Sequence, residues 1–136
     1  MAESLVVDCS VAAKWVLPEP DRAVLDLSAV GEVSLLAPDL ILIEFASLIS
    51  KQHRRKLISA AEAEKSFDLF TRIAPSLVET RPRLNAALGL SLEYGVSLWD
   101  CVYIVLATEC ECPCLTADRR LLRSPIGKHA KLRLLE

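Results

Sequence analysis

Four acids in this chain sit where solubility alone does not account for them: Asp8, Glu44, Asp100 and Asp118. Asp8 ends the apolar run Leu5-Val6-Val7, and Asp118 follows the apolar run that closes at Thr116. Asp100 opens an otherwise oily stretch, and Glu44 lies inside another. A buried carboxylate is costly unless something pairs with it. Carboxylates gathered at one point also repel, so without a cation at least one stays protonated near neutral pH. Oxygen-only ligands select hard cations such as Mg²⁺ or Mn²⁺, and with no nearby histidine or thiolate cluster zinc is disfavoured. Mg²⁺ keeps waters and is commonly completed by substrate phosphate. The chemistry such an ion supports is phosphodiester hydrolysis: it acidifies a bound water, orients it for in-line attack and stabilises the departing oxygen, with no histidine required.

Each acid also has an ordinary role to be weighed against this one. Asp8 could simply cap a helix beginning near Ser10, and Asp118 could cap one beginning at Arg119. Ser97 with Asp100 three residues on forms a capping-box pattern, and an acid suits the positive end of a helix. Glu44 has no such explanation. In DLILIEFASLIS its helical neighbours are Leu40, Ile41, Ser47 and Leu48, with no lysine or arginine three or four residues away. No rotation of that helix gives Glu44 a polar side, so its charge must neutralise or meet a cation.

The elements that must hold these residues alternate. Leu5–Val7 reads as a central parallel strand, followed by a helix from Ser10 to Leu17 that Pro18 and Pro20 stop. A second helix is expected over Asp21–Val30, closed by Gly31, then a strand over Val33–Ala37. Pro38 begins a third helix, Asp39–Lys56. Ser59–Ile73 is a fourth, with Ser59 and Glu62 as a capping box. A short strand is expected over Leu77–Glu79, and Pro82 opens a fifth helix ending at Tyr94 with Gly95 as C-cap. Leu98–Thr108, apolar on every face but for Asp100, reads as a helix buried in the core. Cys112–Thr116 then forms a buried strand, a short helix starts at Arg119, and Leu132–Leu135 is a last strand. Strands alternating with helices give an α/β domain: a three-layer α/β/α sandwich around a mostly parallel sheet of about five strands. In such sheets ligands bind outside the carboxyl ends of the strands, the edge where Asp8 and Asp118 fall.

At 136 residues the chain is one domain, 1–136, with no linker, repeat or low-complexity segment. Hydrophobic residues make up 52% and mean hydropathy is positive, as expected of a densely packed globule. No apolar run reaches the ~20 residues that span a bilayer, and Asp8 interrupts the first run too early for a secretion signal; a cytoplasmic protein is expected. Five cysteines fit that compartment as free thiols. Cys110, Cys112 and Cys114 would share one strand face, but zinc sites space their cysteines more widely and add a second pair, while His53 and His129 are remote; burial is the favoured reading. Cys9 and Cys101, each following a candidate acid, read as small filler. The net charge of −2 decides nothing about nucleic acid, because neutralising four acids with metal would turn it positive.

The segments LVVDCSVAAKWVLPEP, APDLILIEFASLI, SLWDCVYIVLA and LTADRRL, in this order, closely resemble the four acidic motifs of PIN-domain ribonucleases, and within them VapC-type toxins of toxin–antitoxin pairs. Any one motif is weak; four together, spanning nearly the whole chain, are strong. The resemblance implies a Mg²⁺- or Mn²⁺-dependent endoribonuclease with Asp8, Glu44, Asp100 and Asp118 as the acidic quartet. Ser10 and Thr116 would contact the metal's waters or the acids. It also implies a homodimer, a structured RNA or mRNA as substrate, and a VapB-type antitoxin that blocks the site.

RNA phosphates need cations near the metal. Lys14, one turn after Ser10, and Arg119 and Arg120, directly after Asp118, are the candidates. Lys51, His53, Arg54, Arg55 and Lys56 form the densest basic run, but at a helix C-terminus such charge is favourable anyway. Trp15, Val16 and Leu17 are assigned to the core in preference to the edge of an antitoxin groove. Two other classes compete. A catalytically silent PIN-like module binding RNA or protein would keep the fold without turnover. A receiver or dehalogenase-like phosphotransfer domain would want a paired acid or Asp-x-Asp at the first strand, which Val7-Asp8-Cys9-Ser10 does not supply.

Overall fold

The first strand, β1 (Glu3–Val7), is buried over Leu5, Val6 and Val7 in succession, so both of its faces are covered. The computed structural model of the chain describes residues 3–16, 33–128 and 131–134. The expected helix over Asp21–Val30, with Pro18, Pro20, Leu17 and Gly31, lies outside the described residues, as does His129. After β1 come α1 (Cys9–Val16), β2 (Val33–Pro38), α2 (Ile41–Arg54), α3 (Ala60–Ile73), β3 (Ser76–Val78) and α4 (Leu84–Tyr94). Then follow α5 (Leu98–Glu109), β4 (Cys114–Thr116), α6 (Arg119–Arg123) and β5 (Leu132–Leu134). One sheet results, in the order β3-β2-β1-β4-β5, and every pairing is parallel. The α/β sandwich expected from the alternation is the fold observed.

That order places a topological switch point between β1 and β4: the chain builds outward from β1 through β2 to β3, then returns to the other side of β1. Loops leaving the carboxyl ends of two such strands diverge, and the crevice between them is where ligands bind in this class of sheet. Asp8 immediately follows β1, and Asp118 lies two residues past β4.

The core is centred on α5. Cys101 through Ala107 are buried without a break, as a helix with no polar face requires. Its start is set by Ser97, whose hydroxyl accepts from the Asp100 amide at 3.3 Å. Just before it, Gly95 closes α4 in the left-handed region at φ 67°. On the other side, Phe45 of α2 is fully buried and stacks on Phe70 of α3 with centroids 4.3 Å apart, fixing the rotation of the helix that carries Glu44. Ser59 and Glu62 form the expected capping box of α3.

Two boundaries differ from expectation for physical reasons. Pro38 ends β2 and does not begin the helix: it registers against Val78, and the ladder continues one step through the Asp39 amide on the Val78 carbonyl at 2.7 Å. The helix then starts at Ile41 with no side-chain cap of its own. Asp39 Oδ1 instead accepts from both the amide and the hydroxyl of Thr80, and the Leu40 amide donates to that hydroxyl oxygen at 3.1 Å. The strand expected over Cys112–Thr116 is confined to Cys114–Thr116, since Pro113 has no amide to donate and Glu111 turns at φ 52°. The three cysteines therefore do not share a strand face: Cys110 is exposed, while Cys112 and Cys114 are buried, all as free thiols. Among the described residues no single helix is long and apolar enough to cross a membrane.

Candidate active site

Asp8 is 6% exposed at the end of β1, and one oxygen carries several bonds. Its Oδ1 accepts from the Ser10 hydroxyl at 2.5 Å and from the Val11 amide at 3.2 Å. Asp8 is thus the cap of α1, the ordinary role its position allowed. Ser10 in turn accepts from the Ala117 amide at 2.9 Å, which ties the loop after β1 to the loop after β4. Thr116, fully buried, accepts from the Asp118 amide at 3.0 Å and lies 3.5 Å from the Ser10 hydroxyl oxygen. The two hydroxyls form a polar seam across the switch point, with Asp8 on one bank and Asp118 on the other.

Asp118 caps α6 with Oδ1, which accepts from the Arg120 and Leu121 amides at 2.9 and 3.3 Å. Asp100, half-buried in the first turn of α5, accepts from the Ser97 hydroxyl at 3.2 Å. Two of the four acids, Asp8 and Asp118, therefore do cap helices, while at α5 the cap is Ser97 and the reciprocal half of the capping box, from Asp100 to the Ser97 amide, is not formed. Capping and metal binding are compatible because a carboxylate has two oxygens. Glu44 caps nothing. It is half-buried on α2, and Tyr103 of α5 donates its phenol to Oε1 at 2.6 Å. Sequence reasoning counted Tyr103 among the apolar residues of the core helix. The signal available was its position three residues after Asp100, on the same helical face, with a hydroxyl that must find a partner.

The expectation that Glu44 has no polar side is corrected in part. Ile43 is 68% exposed and Ser47 is exposed, so α2 has an open face, and Glu44 stands at its margin. Burial still dominates its chemistry. Desolvation raises the Glu44 pKa, the Tyr103 hydrogen bond lowers it, and the charges of Asp100 and Asp8 raise it again. Asp8 is raised by burial, against hydrogen bonds from Ser10, Thr116 and Val11. Asp100 is raised by burial and by Asp8 and Asp118, with the Ser97 hydroxyl and the Arg120 charge pulling the other way. The negative charges of all four acids thus enter one coupled set.

Cys9, half-buried, belongs to the same neighbourhood: burial, then Glu44 and Asp8, push its thiol up to about 12. It is inert filler, as expected. Of the candidate cations, Arg120 is the one whose charge acts on Asp100. Arg119 is exposed and makes no ion pair among the described residues, and Lys14, half-buried in α1, has an interaction of its own within the chain.

Among the described residues no three acid, histidine or cysteine side chains stand close enough to form a metal-binding group as placed. The chemistry of the donors nonetheless fits a hard divalent cation: carboxylate oxygens only, and three of them held against their own charge. Asp8, Glu44, Asp100 and Asp118 are the residues that would hold it.

The PIN domain model matches residues 5–126. The chain is similar to Ribonuclease VapC3 of Pyrobaculum aerophilum, 33% identical over 124 residues and covering 86% of this chain and 91% of that protein. In fold it is similar to the crystal structure of PAE2754 from the same organism, with a TM-score of 0.76, 20% identity, and 99% and 91% of the two chains covered. It is also similar to a chain of VapBC2 from Rickettsia felis, solved bound to a DNA fragment from its promoter. There the TM-score is 0.71 at 13% identity, with 98% and 99% covered.

Raised carboxylate pKa values fix the sign of a pH effect. The folded metal-free chain binds more protons than the unfolded chain between the ordinary carboxylate pKa and the raised one. The contribution of these groups to stability is therefore fully present below about pH 4 and is lost as pH rises through the raised values. In metal-free buffer, Asp8→Asn removes one such group, so its stability relative to wild type should increase from pH 4 to pH 8; urea unfolding across that range checks it, and a flat difference contradicts it. Tyr103→Phe should cost about 1–2 kcal/mol at a pH above the raised Glu44 pKa, where a charge-assisted bond is lost. That cost should shrink toward pH 4, where Glu44 is protonated, measured in the same way.

Proposed function

The chain belongs to the PIN-domain family, and on that premise we propose that it is a divalent-metal-dependent endoribonuclease of the VapC type, hydrolysing RNA phosphodiester bonds. The observation that carries this reading is the set of carboxylates at the switch point, where burial holds Asp8, Glu44 and Asp100 against their own charge and neighbouring acids add repulsion at Glu44 and Asp100. A likeness to VapC3 over most of both chains supports the ribonuclease assignment. Mg²⁺ or Mn²⁺, when bound, supplies an acidified water and charge stabilisation at the departing oxygen.

The remaining work falls to the chain's own residues. Asp8, Glu44 and Asp100 would hold the ion, with Asp118 completing the set from the loop after β4. Tyr103 orients Glu44, and Ser97 orients Asp100. Ser10 and Thr116 keep the two loops at fixed separation, so the acids on either bank do not drift apart. Arg120, beside Asp100, is placed to meet a phosphate of the substrate, a role it shares in this reading with Arg119 and Lys14. The likeness to a VapBC structure fits a role as the toxin half of a toxin–antitoxin pair held in check by a VapB-type antitoxin; in this reading the toxin is a cytoplasmic homodimer.

Purified chain should cleave structured RNA with Mg²⁺ or Mn²⁺, and EDTA should abolish the cleavage. Asp100→Asn or Asp8→Asn should lower it by at least 10²-fold with circular dichroism unchanged. Products should carry 5′-phosphate and 3′-hydroxyl ends, because water attacks. Retained cleavage by Asp100→Asn takes that residue out of the mechanism, 2′,3′-cyclic ends rule out attack by water, and intact RNA with every metal tried leaves the silent-module reading.

A further inference from the structure

The basic run at the end of α2 is not explained by the helix end alone. From residue 45 to residue 61 the sequence contains no acid, and Lys51, Arg54, Arg55 and Lys56 fall in that interval. All four are exposed, and among the described residues none pairs with a carboxylate; Arg54 reaches only the Ser50 hydroxyl, at 3.4 Å. The nearest following acid, Glu62, is occupied by the capping box. The helix closes with Lys56 in the left-handed region at φ 62°, its amide on the His53 carbonyl and the Leu57 amide on the Gln52 carbonyl. Glycine is the usual residue at that position of a helix end, so a charged side chain is kept there against backbone preference. His53 braces the turn, its Nδ1 donating to the Ile58 carbonyl at 3.0 Å.

The direction of the run matters more than its charge. At 100° per residue, positions 7 and 11 after Glu44 lie within about 20° of the line through Glu44 along the helix. Those positions are Lys51 and Arg55. At 1.5 Å per residue they stand about 10 and 16 Å from Glu44 along the axis. Both distances exceed the screening length of about 8 Å at physiological salt, so one phosphate cannot serve the acids and this pair together.

We infer that the line running along α2 from half-buried Glu44 to exposed Lys51 and on to Arg55 at the helix C-cap, extended by Lys56, is a track for the phosphate backbone of the RNA flanking the cleaved bond. The inference rests on the ribonuclease reading and deepens it. A substrate that fills the track presents a continuous backbone well beyond the reacting phosphate, as a folded RNA does. Arginine suits phosphate through its planar fork, and the track is continuous with the site that would cut the chain.

The test uses full-length protein carrying Asp8→Asn with Mg²⁺ present, so that RNA is bound and not consumed, and follows fluorescence anisotropy of labelled tRNA across a salt series. Lys51→Gln with Arg55→Gln keeps good helix formers at exposed positions, so the fold and Tm should hold. The pair should weaken binding about tenfold or more and reduce the slope of log affinity against log salt by about 1.5, as expected for two lost phosphate contacts. Lys56→Gly should cut the slope by about a further 0.7 while leaving Tm equal or higher, which separates lost charge from lost structure. No measurable binding by the parent, or equal Kd and slope in parent and variants, would overturn the track. Neither result depends on turnover, so a failure of the track is distinct from a failure of wild-type chain to cleave.

Discussion

The structure depends on one electrostatic constraint: several carboxylates are held together at the carboxyl edge of a parallel sheet, in surroundings that disfavour their charge. Asp8 is nearly inaccessible, Glu44 and Asp100 are half-buried, and the charges of Asp8 and Asp100 raise the proton affinity of Glu44 while those of Asp8 and Asp118 raise that of Asp100. A protein has no reason of stability to keep such a set, since replacing any member by its amide would remove a repulsion. Groups held against their own charge in a cleft are what a metal-assisted hydrolase needs, and they carry the argument from fold to chemistry.

The rest of the molecule can be understood as what makes that arrangement rigid. The order β3-β2-β1-β4-β5 opens a crevice between β1 and β4, and the Ser10–Thr116 seam fixes its width. α5 is oily on nearly every side so that it can thread the core, yet it delivers Asp100 at its start and the Tyr103 hydroxyl one turn later. α2 is pinned by the stack of Phe45 on Phe70, which sets the side from which Glu44 approaches. The same helix then carries its unpaired cations away from the site along one line. In the proposed reading one acid of the site, Glu44, and the backbone track would share one rigid rod, so the distance between them would be set by helical rise.

Much of this was legible in the residues. Alternating apolar runs and capping signals gave the layer architecture, and the paired signals of Ser59 with Glu62 and of Gly95 marked helix ends where the backbone has them. Glu44 stood out because no cap or nearby cation could account for it. The caps proposed for Asp8 and Asp118 are real, so for those two the ordinary role and the chemical role coexist, and sequence alone could not separate them; at Asp100 only the Ser97 half of the expected capping box forms. What escaped was tertiary. Tyr103 looked like core until its hydroxyl met a residue 59 positions away. The cysteine strand was drawn too long because Pro113 was weighed less than the apolar pattern. The basic run looked like ordinary helix-end charge, and its alignment with Glu44 needed the helix to run unbroken from Ile41 to Arg54.

The claim on which everything else rests is that one hard cation makes this gathering of acids tolerable. Anomalous diffraction from a crystal soaked in Mn²⁺ tests it most directly. The account predicts a single strong peak, or two adjacent ones, within bonding distance of Asp8, Glu44 and Asp100 oxygens, and its loss in a crystal of Asp8→Asn. Manganese absent from the crevice at saturating concentration, with the four carboxylates still apart, would contradict it.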